Sequence, residues 1–201
     1  MTTADPARKP SNWNVPNVLT ALRLVMVPLF AWLLLAYPAD PAMRWWANAV
    51  FILAILTDAA DGRIARKYNL VTNFGKLWDP IADKALTGMA FIGLSILAEL
   101  PWWITILILV REWGITVLRW AIIKYGVMAA NRGGKLKTVV QSVALAMFIP
   151  GLQFMPMWWV VIAWILMIAA FVLTILTGLD YLREASRLRN SYLAEHPKEE
   201  S

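Results

Sequence analysis

Between Val18 and Leu182 the chain returns repeatedly to apolar runs long enough to cross a membrane, separated by short polar stretches. A helix needs about 20 predominantly apolar residues to span a hydrocarbon core of roughly 30 Å. In lipid, only helices and closed barrels satisfy their own backbone groups. The runs read as six spans: Val18 to Tyr37, a second from near Trp45 into the TDAADG stretch, a third from close to Asp79 to Leu97, Trp102 to about Tyr125, Val139 to Phe154, and Trp158 to Leu182. The expected fold is an all-α integral membrane bundle of six transmembrane helices. Its composition agrees, since 60% hydrophobic residues exceeds the share of about 45–50% usual in soluble domains. Residues 15–182 read as one domain between a polar N-terminal segment, 1–14, and a C-terminal tail, 183–201. The first of these lacks the apolar core of a signal peptide, and Trp13 with Arg8 and Lys9 reads as a short interfacial segment or a partly disordered tail.

The net charge of +6 would suit a nucleic-acid partner, but the basic residues cluster beside the spans, so no nucleic acid is expected. Arg8, Lys9, Arg63, Arg66, Lys67, Lys76, Lys124, Arg132, Lys135, Lys137, Arg183, Arg187 and Arg189 fall near the second–third and fourth–fifth loops and the two tails; the opposite loops hold only Arg44. By the positive-inside rule both termini and the second–third loop face the cytoplasm, in the cell (inner) membrane. Trp45-Trp46, Trp102-Trp103 and Trp158-Trp159 each open an even-numbered span, as anchors at the outer interface would. Cysteine is absent and the sole histidine, His196, lies in the tail. Carboxylates therefore remain as ligands for a hard cation.

Four carboxylates stand within or against apolar sequence, where they are costly unless they bind something. Asp58 and Asp61 are three apart, Asp79 and Asp83 four apart, so on helices each pair projects from one face, and two facing pairs would hold divalent metal. Gly62 and Ala65 remove bulk beside the carboxylates, and Arg66 offers a planar fork of donors suited to phosphate or pyrimidine edges. Written out, the stretch is D-x2-D-G-x2-A-R-x8-G-x3-D-x3-D, ending at Gly75, Asp79 and Asp83. It resembles the signature of the CDP-alcohol phosphatidyltransferases at every fixed position. That resemblance implies two magnesium or manganese ions held by Asp58, Asp61, Asp79 and Asp83, with Asp83 also taking the proton of the acceptor hydroxyl. It further implies that Asn17, Thr20, Asp61, Gly62, Ala65, Arg66, Thr72 and Gly75 bind CDP-diacylglycerol, and that the enzyme is a homodimer.

The acceptor is read from three further stretches. NVPNVLTALR near the start, Arg111-Glu112 in the fourth span and GKLKT before the fifth resemble the branch of the family that uses sn-glycerol 3-phosphate. On that resemblance Arg23, Arg111, Lys135 and Lys137 bind the acceptor's phosphate, and the products are phosphatidylglycerol phosphate and CMP. Taken alone, Arg23 reads equally as a residue snorkelling to the headgroups, Lys135 and Lys137 as topology signals, and Glu112 with Arg119, seven apart, as an ion pair on one helix face. A cardiolipin synthase of the same family, with phosphatidylglycerol as acceptor, is the near alternative. A cation or proton transporter is the alternative from another class, because intramembrane carboxylates also mark ion pathways. The charge asymmetry makes a direct prediction about topology. Because the native chain has no cysteine, Asn69→Cys should be labelled by an impermeant maleimide only after the cells are opened, and labelling from outside intact cells would overturn the orientation.

Overall fold

The computed structural model describes residues 15–67, 73–122 and 132–195. Those residues are helical without strands: α1 Val15–Ala36, α2 Pro41–Lys67, α3 Asn73–Ile96, α4 Trp102–Ile122, α5 Arg132–Phe148 and α6 Met157–Glu195, with a short 3-10 turn at Leu152–Phe154. The chain divides into two compact units, Met1–Ala90 and Phe91–Ser201.

In the first unit α1 and α2 form an antiparallel hairpin. Asp40 caps α2: its Oδ1 accepts from the backbone N–H of Ala42 at 2.9 Å and of Met43 at 3.2 Å, with Pro41 at the first helical position, where no N–H is needed. Arg44, the lone basic residue expected on the outer side, is fully buried here and donates from Nη1 to the Pro38 carbonyl at 3.4 Å. Phe30 and Phe51 stack across the hairpin with ring centroids 5.6 Å apart. Pro28 lies inside α1 without ending it.

The second unit begins at the end of α3, which closes in a Schellman turn. Ala98 adopts φ 57°, and the N–H groups of Glu99 and Ala98 reach back to the carbonyls of Leu94 and Ser95 at 2.9 and 3.1 Å. The Ser95 and Thr105 hydroxyls share a buried hydrogen bond of 2.7 Å, which ties the start of α4 to the end of α3. α5 and α6 run antiparallel, fastened by the Trp159 indole donating to the Met147 carbonyl at 2.9 Å and by the Phe148–Trp164 edge contact at 5.1 Å. α4 and α6 run parallel, because their contacts advance together from Trp103–Phe171 to Arg111–Thr177 to Arg119–Tyr181.

Two helices, α1 over Val18–Ala36 and α6 over Met157–Tyr192, are long and apolar enough to cross a membrane. Only 28% of the α6 window is buried, so most of its apolar surface points outward, as suits lipid rather than water. The tryptophans that open α2, α4 and α6 are exposed apart from Trp159, which is drawn onto α5.

Several expected boundaries move. α5 begins at Arg132 rather than Val139, because GGKLKT coils into its first turns, and it ends at Phe148 instead of Phe154. α2 runs to Lys67, and α3 starts at Asn73 rather than close to Asp79, so that Gly75 is helical. α6 does not stop at Leu182 but continues through good helix formers to Glu195.

Gly151 has φ 89°, and a Cβ added there would meet Phe154 Cδ2 at 2.8 Å and Gln153 Nε2 at 3.0 Å. Gly151→Ala should therefore cost about 1–3 kcal/mol, seen as a lower midpoint of thermal unfolding in detergent. Gly114→Ala, in α4 with nothing within 4 Å of the added atom, is the control and should hold or raise the midpoint. Equal shifts in both variants would rule out the steric account.

Candidate active site

On the α1–α2 hairpin, Arg23 is fully buried and its Nη1 donates to Asp58 Oδ1 at 2.6 Å, while the aspartate side chain stays 41% exposed. Arg23 therefore does not snorkel. Thr20, one turn before Arg23 on the same face, is buried as well.

α2 carries the chain on through Asp61, Gly62, Ala65 and Arg66, and α3 carries Gly75, Asp79 and Asp83. Helical register puts positions 58 and 61 on one face of α2, and positions 79 and 83 on one face of α3. Asp83 is half-buried, and its backbone carbonyl accepts from Thr87 Oγ1 at 3.0 Å. The side chains of Asn17, Asp61, Gly62, Ala65, Arg66, Gly75 and Asp79 lie outside the described residues, and so does the whole of Thr72. The expected cluster of four aspartates therefore falls largely outside them; among the described residues no group of three metal-ligating side chains forms. The donor set nevertheless fits a hard divalent cation. It offers oxygen alone, from helix positions one turn apart, and one of its carboxylates is oriented by Arg23 with part of its surface open.

A second cluster lies in the α4–α6 unit. Glu112 Oε1 accepts from Arg111 Nη1 at 3.0 Å and from Lys137 Nζ, so two cations from α4 and α5 share one carboxylate oxygen. Arg111 Nη2 donates to Thr177 Oγ1 on α6 at 2.6 Å. The Thr177 hydroxyl lies 2.6 Å from the Leu173 carbonyl. Its one proton serves that carbonyl, and a lone pair faces the guanidinium. Gly178 gives Arg111 its place against α6, since a Cβ there would approach Arg111 Cγ at 3.3 Å and Nε at 3.4 Å. Arg119 Nη2 donates to the Tyr181 hydroxyl at 2.7 Å, with its guanidinium 4.8 Å from the ring centroid.

These contacts correct one expectation: Glu112 pairs with Arg111 and Lys137, not with Arg119. Lys135 and Lys137 also part company: Lys137 is buried and Lys135 exposed, because residues two apart project from opposite sides of a helix. The sequence reading missed Thr177, Gly178, Tyr181 and Gln141. Their signal was spacing: Thr174, Thr177 and Tyr181 share one side of an otherwise apolar helix, and Gln141 follows Lys137 by one turn.

The sequence profile of the CDP-alcohol phosphatidyltransferases matches residues 13–176. A probable phosphatidylglycerophosphate synthase of Mycobacterium tuberculosis (strain ATCC 25618 / H37Rv) is 52% identical over 176 residues, covering 87% of this chain and 82% of that protein. The CDP-diacylglycerol–glycerol-3-phosphate 3-phosphatidyltransferase of Rickettsia typhi is 42% identical over 180 residues, 85% of this chain and 96% of the relative. The enzyme of the same name from Bacillus subtilis (strain 168) is 40% identical over 146 residues, 67% of this chain and 75% of the relative. The chain belongs to the CDP-alcohol phosphatidyltransferase family and is an enzyme of that type. Thr177, Gly178 and Tyr181 lie just past the matched region.

The Arg111–Thr177 bond is a hydrogen bond to a charged group and should be worth about 1.5–3 kcal/mol. Thr177→Val should lose that much stability, and Thr177→Ser, which keeps the oxygen, should recover most of it. Titration with denaturing detergent measures both, and equal losses in the two variants would show that bulk rather than the hydroxyl matters.

Proposed function

We propose that the protein transfers the phosphatidyl group of CDP-diacylglycerol to sn-glycerol 3-phosphate, giving phosphatidylglycerol phosphate and CMP. One observation supports this acceptor above others: the complete aspartate motif stands in a chain whose relatives at 40–52% identity are named for that reaction. In this reading the fold is a bundle of six spans in the cell membrane, with both termini and the chemistry on the cytoplasmic side. The parallel course of α4 and α6, with α5 antiparallel to α6, fits that alternation. The homodimer belongs to the same reading and rests on the family alone.

The acceptor's primary hydroxyl oxygen bonds to the lipid-side phosphorus, the bond from that phosphorus to the CMP oxygen breaks, and the hydroxyl proton passes to Asp83. Asp58, Asp61, Asp79 and Asp83 would hold two divalent cations, magnesium or manganese, which when bound neutralise charge on the pyrophosphate and on the attacking and leaving oxygens. Arg23 fixes the Asp58 carboxylate, so that it is set in place before substrate arrives. Asn17, Thr20, Thr72 and Gly75 complete the CDP-diacylglycerol site, where Gly62 and Ala65 leave room for the nucleotide and Arg66 donates to it. Arg111 and Lys137 meet the acceptor's phosphate, with Glu112 holding their charged ends together in the meantime. Lys135, exposed on the other side of α5, acts as a cytoplasmic-side charge.

Purified protein given CDP-diacylglycerol and magnesium should release CMP with sn-glycerol 3-phosphate and not with serine, inositol phosphate or phosphatidylglycerol. Asp83→Asn should lower that turnover by roughly 100-fold or more, the usual worth of a general base, while titration shows CDP-diacylglycerol binding nearly intact. Transfer to phosphatidylglycerol in place of glycerol 3-phosphate would reassign the acceptor, and near-normal turnover of Asp83→Asn would remove Asp83 as the base.

A further inference from the structure

Gln141 lies on α5 one turn beyond Lys137 and on the same face. It is 5% exposed, and its Oε1 is buried with no hydrogen-bond partner among the described residues. Buried polar atoms are normally satisfied, and one left unmet in a native fold calls for an explanation. Arg111 Nε is buried in the same condition. Helical spacing places Gln141 on the same side of α5 as Lys137, which shares the Glu112 carboxylate with Arg111.

The unmet atoms are opposite in kind, a donor on Arg111 and an acceptor on Gln141. A phosphate dianion satisfies the donor but has no proton to offer a carbonyl oxygen. A hydroxyl has one. The ligand that answers both is therefore a polyol monophosphate with a free hydroxyl besides the one that reacts. In a three-carbon acceptor that group is the secondary hydroxyl. We infer that Gln141 is a specificity-determining residue that accepts a hydrogen bond from the secondary hydroxyl of the acceptor, while Arg111 and Lys137 hold its phosphate; the inference rests on the acceptor proposed above.

The role is distinct from phosphate binding and separates from it chemically. The monophosphate of 1,3-propanediol keeps the phosphate and a reacting primary hydroxyl and lacks only the secondary one. A site built to bond a hydroxyl discriminates against an analogue without it, because its own polar group is then left buried and unpaired.

The experiment compares kcat/KM for sn-glycerol 3-phosphate and for 1,3-propanediol monophosphate in the wild type, Gln141→Met and Gln141→Leu, each checked for monodispersity in detergent. The wild type should prefer glycerol 3-phosphate by roughly ten-fold or more. Both variants should bring the ratio close to one by losing activity toward glycerol 3-phosphate, with the propanediol ester and the KM for CDP-diacylglycerol unchanged. A variant that keeps the wild-type ratio overturns the inference. So does a wild type that uses the two phosphates equally, an arm that needs no variant to fold. Turnover with neither phosphate but with phosphatidylglycerol would instead overturn the proposed acceptor, and the role of Gln141 with it.

Discussion

Arg23 reaches from α1 to Asp58 on α2 with none of its surface exposed, and the rest of the α1–α2 hairpin depends on that pair. A guanidinium buried among apolar residues is tolerable only while its charge is met. The pair thus fixes the register of the two helices as firmly as the Phe30–Phe51 contact does. It also fixes the carboxylate. An aspartate held on one oxygen by a buried arginine cannot turn freely, so a residue with the makings of a cation ligand is oriented by the same bond that holds the helices together. The packing of the hairpin and the setting of that carboxylate draw on one interaction, and loss of Arg23 would disturb both.

The α4–α6 unit applies the same rule with more members. Glu112 gathers Arg111 and Lys137 from neighbouring helices, Thr177 takes another arm of Arg111, and Gly178 clears the space in which that arm lies. None of these contacts is a surface ion pair of the kind that contributes little. Lys137 is almost wholly buried and Arg111 is 13% exposed. The arrangement gives three helices a common polar seam within otherwise apolar surfaces, and its donors are aimed by partners on other helices rather than by their own rotamers.

What the sequence made legible follows from this division of labour. The aspartate spacing, the helix-opening tryptophans and the all-helical class are properties of single segments, so periodicity and hydropathy reveal them. Pairings between helices are not. Glu112 is seven residues from Arg119 and shares its face, yet it turns to Lys137, 25 residues on, because the nearer cation is engaged with Tyr181. The start of α5 was misplaced for a related reason. GGKLKT reads as loop by its glycines and lysines, but an inward Lys137 paired to α4 draws those residues into the helix. Gly178, a small residue in an apolar run, carries no mark of its own until Arg111 is seen against it.

Among the described residues, α1 and α6 pass as spans on length and apolarity alone. α2, α3 and α4 carry charged residues, Asp58, Asp83, Arg111 and Glu112 among them, and α5, with Lys135 and Lys137, is shorter at 17 residues. Each such residue is unfavourable at the centre of a bilayer by about 2.5–3.5 kcal/mol on insertion scales. That cost falls when the charge is paired inside the protein, as Arg111 and Lys137 are with Glu112. α1 and α6 are left with the long apolar stretches least interrupted by charge, and these suit lipid. α6 combines both demands along its length. Its outward face is mostly apolar from Met157 to Leu182, and the one side that carries Thr174, Thr177, Gly178 and Tyr181 is the side on which Arg111 and Arg119 rest.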